Sequence, residues 1–442
     1  MYEAVSIEEM RKPVVALCNE GFLADAKSAA SSKGMPGIRV IPESVPCECT
    51  VKEQIEVGAN AIMDDVIDAL THPLTAEEKS PQPKDSMKPS RIVFKGDLNE
   101  INSFFYRRGW SDGLPIVPPT EEAVEEMLKG TDHAHDYVVA KIIPRLGKAT
   151  VEKIAINAVM AGALPTYMPV LIAGTQAVMD PESGFISYEV STGSFMPFWI
   201  INGPIRRQLN ICGGQGAFNP GDIANATIGR AMGLIIKNIG GVRKGIEDMS
   251  TLGNPGKNSM VIAENEEESP WEPLHVEKGF NKNDNTLTVS FPNSFWHQAQ
   301  YGSDDIGILR ATIYNTHPSV GNMTLMVTPS HAELLAKAGW SKEEIKNFIS
   351  SQIRVPLYRI NAYYGNMLDR YKHKRNLLMN PEDSVPILDA NSISIFVAGG
   401  RGQWIGMITG PGNEITRKIE LPKKWDEIVD KYKDIVPKYI RY

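Results

Sequence analysis

The sequence predicts an α/β protein with a small parallel-sheet half-module at the N-terminus, joined to a large mixed α/β (α+β) domain. Three observations predict this class. Strand and helix patterns alternate at the start, a Pro/Ser/Lys-rich stretch follows, and a long region without visible repeats mixes both patterns. We expect residues 1–78 to form the half-module, residues 79–90 a linker and residues 91–442 the large domain.

The half-module begins with an apolar run, PVVALC at residues 13–18, which predicts a buried strand. NEGFLADAKSAASSKG then predicts a helix that stops at glycine, and IRVIP predicts a second strand. Apolar residues at helical spacing up to Leu70, after a capping box of Thr50 and Glu53, predict a second helix. Two strands cannot cover both faces of a parallel sheet, so the rest of the chain or another polypeptide must complete it.

The large domain is predicted to open with a strand, RIVFKG at residues 91–96. LNEINSFFYRRG predicts a helix, and Thr120 is expected to cap the next one. Later apolar runs predict strands in TLTVSF, TLMVTP and ISIFVAGG. Ala/Gly-rich apolar stretches predict closely packed helices in TVEKIAINAVMAGA, YMPVLIAGTQAVMD and NATIGRAMGLIIKNIGG.

Composition excludes several classes of function. The formal charge of −7 leaves no basic footprint for nucleic acid. The chain lacks a run of about 18 apolar residues, so we expect no membrane-spanning helix. An N-terminus without an apolar signal core and only four cysteines predict a cytoplasmic protein. A small molecule or another protein is the expected partner.

Two cysteines one residue apart, Cys47 and Cys49 in VPCECT, are the strongest candidate for chemistry. They follow a predicted strand, where parallel sheets bind ligands, and precede a helix N-terminus, which stabilises thiolate. We expect them to act as nucleophile and resolving thiol. Alternatively, they are buried small apolar residues, or they bind a soft metal ion such as Cu, Zn or Fe together.

A glycine-rich loop, GGQGAFNPG at residues 213–221, is the first candidate for substrate binding. Such a loop lets the backbone approach a ligand closely, and an anion can sit at the N-terminus of the helix that follows. A tight structural connection is the alternative. The candidate residues of the loop are Gly213, Gly214, Gln215, Gly216 and Asn219.

Other polar residues are candidates for the same pocket. Arg206 can bind a carboxylate or solvate a surface turn. Trp110 and Asp112 lie in a proline-braced turn that suits ligand contact, and Arg401 follows a strand with glycines and fits a pocket rim. In AENEEESPWEPLH the candidates for general acid–base catalysis are Glu264, Glu267 and His275, and a solvated acidic loop is the alternative.

Longer motifs resemble a known family. NEGF, ADA, SAA and KGMPG, followed by ALTHPLTAEE, resemble the UGSC family of selenoproteins and their cysteine forms, named for a Sec/Cys-Gly-Ser-Cys motif. RGWSDGLPIVPPTEEAVEEML, and the blocks from STGSFMPFWIINGP to AENEEESPWEPLH, resemble the larger domain joined to that module. The chain contains no Gly-Ser-Cys, so its N-terminus resembles only the second half of the module. The resemblance implies that a small partner subunit carries the missing Cys/Sec-Gly-Ser-Cys segment.

Together these features predict a subunit of a thiol- or selenol-dependent enzyme that acts on a small molecule within a hetero-oligomer. Reductive cleavage of a polarised bond is the expected oxidoreductase reaction. A cysteine-dependent C–S or C–C lyase, and a non-catalytic scaffold that carries a metal or thiol, are the alternatives.

Overall fold

A computed structural model describes residues 2–20, 23–45, 51–79, 91–300, 304–316, 322–356, 384–410 and 412–434. The chain forms two compact units. The first combines Met1–Met179, Phe185–Ser194 and Arg230–Gly253, and the second combines Asp180–Gly184, Phe195–Gly229 and Asn254–Tyr442. Both contain helices and strands, which confirms the mixed α/β class. The predicted division at residues 78 and 90 stays a prediction, and most of the predicted linker lies outside the described residues.

The N-terminal module, residues 2–79 of the first unit, contains two parallel strands, as predicted. β1 and β2 pair in register, with Val15 opposite Arg39 and Asn19 opposite Glu43. The elements in chain order are α1 (Tyr2–Glu9), β1 (Val15–Asn19), α2 (Leu23–Ser32), β2 (Arg39–Glu43), α3 (Lys52–Thr71) and α4 (Ala76–Lys79).

The apolar core of the N-terminal module is small. It is formed by Ala4, Val5, Ala30 and Ile38, with Val14, Ala16 and Met35 packed against it. These side chains hold α1 and α2 on one face of the sheet. The largest side chains of this core are Ile38 and Met35, so this cluster buries little apolar surface.

Helix α3 is long but weakly buried. Of its twenty residues, all described, Gly58 alone is buried. A Cβ at that position would lie 2.1 Å from Val45 Cγ2, so the absent side chain lets the helix approach the chain after β2. Val51 precedes the helix and provides no side-chain cap. Thr50, the predicted cap, lies outside the described residues.

The rest of the first unit is mainly helical. Its described elements include α5 (Leu98–Arg107), α6 (Glu121–Leu128), β3 (Val138–Ile142), β4 (Gly147–Thr150), α7 (Val151–Ala161), α8 (Met168–Val178) and α9 (Phe185–Tyr188). The side chains of Asp97, Thr120 and Thr150 cap α5, α6 and α7. The predicted strand at residues 91–96 is wrong, because that segment pairs with no described strand. Phe94 stacks instead on Phe104 of α5, with ring centroids 4.5 Å apart.

The second unit contains two four-stranded sheets. The first has the order β14-β7-β5-β6, and the second has the order β12-β9-β13-β8. The strands are β5 (Phe198–Asn202), β6 (Val261–Ala263), β7 (Thr286–Ser290), β8 (Ser294–Ala299), β9 (Asn322–Val327), β12 (Ile393–Val397), β13 (Trp404–Gly410) and β14 (Ile415–Lys418). A separate antiparallel pair joins β10 (Arg354–Pro356) to β11 (Ser384–Pro386).

The two sheets share an apolar core. Phe198, Ile200 and Ile262 of the first sheet belong to the same cluster of buried side chains as Phe396 and Ile408 of the second. The predicted strands in TLTVSF, TLMVTP and ISIFVAGG are confirmed as β7, β9 and β12.

The helices around these sheets include long and very short ones. They are α10 (Ile205–Gln208), α12 (Leu274–Glu277), α13 (Asp305–Asn315), α14 (Pro329–Lys337), α15 (Lys342–Gln352) and α16 (Trp425–Tyr432). α11 (Ile223–Ile235) begins in the second unit, and its residues from Arg230 on belong to the first. The predicted helix in NATIGRAMGLIIKNIGG is α11, which continues as a π-helical turn and ends at Gly241, whose φ of 85° suits glycine.

Candidate functional site

The predicted cysteine loop lies outside the described residues. The described chain stops at Val45, after β2, and resumes at Val51, before α3. Cys47 and Cys49 therefore lie in sequence between the carboxyl end of a parallel strand and the N-terminus of a 20-residue helix. Their catalytic or metal-binding role stays a prediction.

Several predicted pocket residues come together in the second unit. Because β5 and β6 are parallel, Asn202 at the end of β5 lies beside Glu264, which follows β6. Asn202 Nδ2 donates to Glu264 Oε2 at 2.6 Å and to Glu266 Oε1 at 3.0 Å. We call Asn202, Arg206, Glu264, Glu266 and Glu267 the carboxyl-end cluster. Open α/β sheets place ligands at such strand ends.

Glu264 is the most deeply buried carboxyl group of the carboxyl-end cluster. Its side chain is fully buried, and Oε2 also accepts the backbone N–H of Leu274 at 2.8 Å. Burial raises the pKa of Glu264, and the Lys342 ammonium, 3.9 Å from Oε1, opposes that rise without cancelling it. A raised pKa favours the protonated form of a carboxyl group, which is the form that a general acid needs. Its burial means that a substrate could reach it only if the cluster opened.

Arg206 is the cation of the carboxyl-end cluster. It is 6% exposed, and its guanidinium donates to Glu267 through both Nη atoms at 3.2 and 3.1 Å. It also donates to Glu264 O at 2.6 Å and forms an ion pair with Glu266 at 3.0 Å. Burial disfavours the charged form of Glu267, yet the hydrogen bonds from Arg206 lower its pKa overall. These contacts occupy the guanidinium, so binding a substrate carboxylate would require one of them to exchange.

His275 lies at the start of α12 and is fully buried. Its Nε2 lies 3.3 Å from Lys282 O, which fits an N–H donor at that nitrogen. Its Nδ1 has no hydrogen-bond partner among the described residues. The ring is therefore packed within the second unit, and its predicted role in acid–base catalysis stays a prediction.

The glycine-rich loop packs against the rest of the second unit. A Cβ on Gly213 would lie 2.2 Å from Ala263 O, and Gly216 has a φ of 70°. Asn219 N donates to Gly216 O at 2.7 Å. Gln215 fills the space beside Gly400, where a Cβ would lie 1.6 Å from Gln215 Oε1. Close packing at Gly213 and Gly400 and the positive φ of Gly216 explain these glycines. Ligand binding by the loop, including Gly214, stays a prediction.

Asn225 of α11 ties the glycine-rich loop to its helix. Its Oδ1 accepts from Cys212 N at 2.8 Å, and its Nδ2 donates to Cys212 O at 3.0 Å and to Val261 O at 2.9 Å. One side chain thus links the chain before the loop to β6. Such bonds satisfy buried backbone groups and fix the loop in place.

Arg401 lies in the loop after β12, as predicted. It pairs with Glu268 at 2.9 Å and with Glu333 at 3.2 Å, and its side chain is 61% exposed. The backbone before it is joined to the glycine-rich loop, since Gly399 N donates to Gly213 O at 2.8 Å. Arg401 is therefore on the surface of the second unit. It directly follows Gly399 and Gly400, which contact the glycine-rich loop.

Trp110 and Asp112 belong to the first unit. The Trp110 ring makes edge contacts with Phe104 and Phe105, at centroid distances of 5.9 and 5.5 Å. Asp112 is held by Arg230, with contacts of 2.7 and 2.9 Å to its two oxygens. Burial disfavours ionisation of Asp112, but the Arg230 guanidinium lowers its pKa overall.

Sequence reasoning missed the partners of these candidates. Asn202, Lys342 and Arg230 were not singled out, although each contacts a predicted site residue. Asn202 could have been recognised from the sequence, because it is a polar residue directly after the apolar run FWII. Lys342 lies in an ordinary charged helix start, where nothing local distinguishes it.

The described residues contain no group of three or more His, Cys, Asp or Glu side chains placed to hold a metal ion. Among them, too, no helix has the length and apolar character needed to cross a membrane.

Comparison with known proteins identifies the N-terminal module. Residues 1–72 match the model of the UGSC family, which confirms the resemblance inferred for this part of the chain. No curated protein and no solved structure matches the chain. The resemblance of the large domain to the domain joined to that module therefore stays a prediction.

Proposed function

We propose that this chain, whose N-terminal module matches the UGSC family, is a subunit of a thiol- or selenol-dependent enzyme that reductively cleaves a bond in a small molecule. One observation carries the proposal: two cysteines lie between β2 and α3 of the matched module. A carboxyl strand end followed by a helix N-terminus favours both ligand binding and the thiolate form.

The chemistry uses both thiols. One thiolate attacks an atom of a polarised bond, and the leaving group departs with the bonding electron pair and takes up a proton. The second thiol then displaces the remaining fragment from sulfur, and that fragment also takes up a proton. Two electrons and two protons pass to the substrate while Cys47 and Cys49 become a disulfide, which a cellular dithiol must reduce again. A reducing compartment such as the cytoplasm suits this cycle.

A second polypeptide is part of the proposed enzyme. The sequence contains no Gly-Ser-Cys, and the described residues of the N-terminal module form two strands over a small core. We propose that a small subunit carrying a Cys- or Sec-Gly-Ser-Cys motif completes it, so that its thiol or selenol acts with Cys47 and Cys49.

The structure supports a role in the reaction for some of the predicted site residues and not for others. The raised pKa of Glu264 supports a role as proton donor. Glu267 and Arg206 form an ion pair that could recognise a charged substrate group by exchange. His275, the glycine-rich loop, Arg401, Trp110 and Asp112 stay candidates without such support.

A model disulfide tests the dithiol without knowledge of the substrate. We expect the reduced protein to cleave 5,5′-dithiobis(2-nitrobenzoic acid) and end with a Cys47–Cys49 disulfide. The Cys49→Ser variant should stop at a mixed disulfide on Cys47, and the Cys18→Ser variant should behave as the wild type. Peptide mass mapping reads out each state.

Three results would contradict reductive cleavage. A wild type that also stops at mixed disulfides lacks a resolving thiol, which favours the lyase alternative. Stoichiometric metal in the anaerobically purified protein, lost in Cys47→Ser, favours the metal-carrying scaffold. Preferential reaction at Cys18 or Cys212 would show that Cys47 and Cys49 are not the reactive thiols.

A further inference from the structure

One side of α3 carries a row of exposed apolar side chains. Ile55 is 44% exposed, Met63 47%, Ile67 52% and Leu70 41%. At about 100° per residue these four positions fall within about 120° of the helix circumference. We call these four residues the α3 stripe. Such a row is normally buried against another element, because an exposed apolar face is unfavourable in water.

The sheet beneath α3 is also incompletely covered. Successive strand residues point to opposite faces, and Ala16 of β1 packs against the small core on one face. Its neighbour Leu17 therefore points to the other face, where it is 53% exposed. The N-terminal module thus leaves apolar surface open both on α3 and on the sheet.

The charges on α3 indicate what kind of partner fits. The helix carries one basic and five acidic side chains, namely Lys52 against Glu53, Glu56, Asp64, Asp65 and Asp68. A second copy packed through the same stripe would bring two acidic helices together, which like-charge repulsion opposes. A partner with basic residues around an apolar face would be attracted.

We propose that the α3 stripe is the docking surface for a different polypeptide, which presents an apolar helix face bordered by Lys and Arg. A helix of 20 residues is about 30 Å long, enough for a partner helix to pack along it over several turns. The identity of this partner as the small Cys- or Sec-Gly-Ser-Cys subunit rests on the proposed function. The surface itself follows from the described residues.

A designed peptide tests the chemistry of the surface on the full-length protein. The probe is a fluorescein-labelled helical peptide with leucines at helical spacing bordered by lysines, and its counterpart carries glutamates in place of the lysines. We expect the lysine-bordered peptide to bind at least about tenfold more tightly by fluorescence anisotropy. Met63→Glu and Ile67→Glu should each weaken that binding by about tenfold or more.

Val57→Glu is the matched control. Val57 lies on the same helix and is 71% exposed, but it points about 80° beyond the edge of the α3 stripe. It receives the same added charge as the stripe variants, so unchanged or slightly stronger binding isolates the loss of apolar contact. Circular dichroism confirms that each variant keeps its helix content.

Several outcomes would overturn the proposal. They are equal binding of the two peptides, no binding of either, and equal weakening by Val57→Glu. A wild-type homodimer that Ile67→Glu dissociates would show that a second copy covers the stripe. The Cys47→Ser/Cys49→Ser variant separates the two proposals, because it should lose the dithiol chemistry and still bind the lysine-bordered peptide.

Discussion

The N-terminal module and the first sheet of the second unit differ sharply in how well their strands are covered. Every residue of β5 and β7 is buried, whereas no residue of β1 is fully buried and Leu17 is half exposed. The first sheet of the second unit is therefore covered on both faces within its own chain. Among the described residues of the N-terminal module, β1 is only partly covered, and this is the surface that the proposed partner would cover.

The two regions also differ in whether their charged side chains are exposed or buried. The acids of α3 lie at the surface, where water solvates them. The second unit buries charged groups, and each is tied to partners, as Arg206 is to Glu266 and Glu267. Buried ion pairs are sensitive to the loss of one member, while surface charges are not. This difference sets the order of the expected effects.

The largest effect is expected from Arg206→Ala. The change leaves Glu266, whose side chain is 12% exposed, without its buried cation, and we expect the free energy of unfolding to fall by about 3–5 kcal/mol. Arg207→Ala is the matched control, because Arg207 is 77% exposed and lies 4.0 Å from Glu267, so a loss below about 1 kcal/mol is expected. Urea unfolding followed by tryptophan fluorescence measures both. Equal losses would mean that the carboxyl-end cluster contributes no more than surface charge.

A pair of isoleucines compares the two regions directly. Ile200 of β5 is 1% exposed, and Ile200→Ala should lower the free energy of unfolding by about 2–5 kcal/mol. Ile67 of α3 is 52% exposed, and Ile67→Ala should change it by less than about 0.5 kcal/mol in the isolated chain. If a partner covers the α3 stripe, the Ile67 variant should lose stability only in the complex. A large loss in the isolated chain would show that the stripe is already covered.

A smaller effect is expected from the pH dependence of Glu414. Its side chain is 9% exposed and pairs with Lys278 at 2.7 Å. Burial opposes its ionisation, but Lys278 and the hydroxyls of Ser394 and Thr324 lower its pKa overall. A lowered folded-state pKa adds stability above the unfolded-state pKa of about 4.3, and this stability is lost as the pH falls through the folded-state pKa.

Glu414→Gln tests that sign. At pH 7 the variant should be less stable than the wild type by about 1.5–3 kcal/mol, the range for hydrogen bonds to a charged group. The difference should shrink as the pH is lowered below about 4. Urea midpoints across this pH range measure it, with Glu420→Gln, an exposed carboxyl in the same unit, as the control. A difference that stays constant with pH would show that Glu414 is not ionised in the folded protein.

Several helices and strands could be predicted from the sequence because their periodicity and capping residues agreed. The strands at residues 15–19 and 39–43, the helix capped by Thr120 and the buried helix after Thr150 lie where the patterns predict them. β5 was missed, because a short apolar run such as FWII fits a buried strand or a buried helix segment equally well. Residues 91–96 have a strand-like pattern, but a strand forms only where a neighbour pairs with it.

The contacts between polar residues that are distant in the chain depend on the tertiary structure. Asp112 meets Arg230 across 118 positions of the chain, and Glu264 meets Asn202 across 62. No local period records such contacts, because they arise when strand ends and helices are brought together by packing elsewhere. Burial is decided in the same way. Glu264 and the acids of α3 have the same type of side chain, yet the pKa of Glu264 rises because the fold removes water from around it.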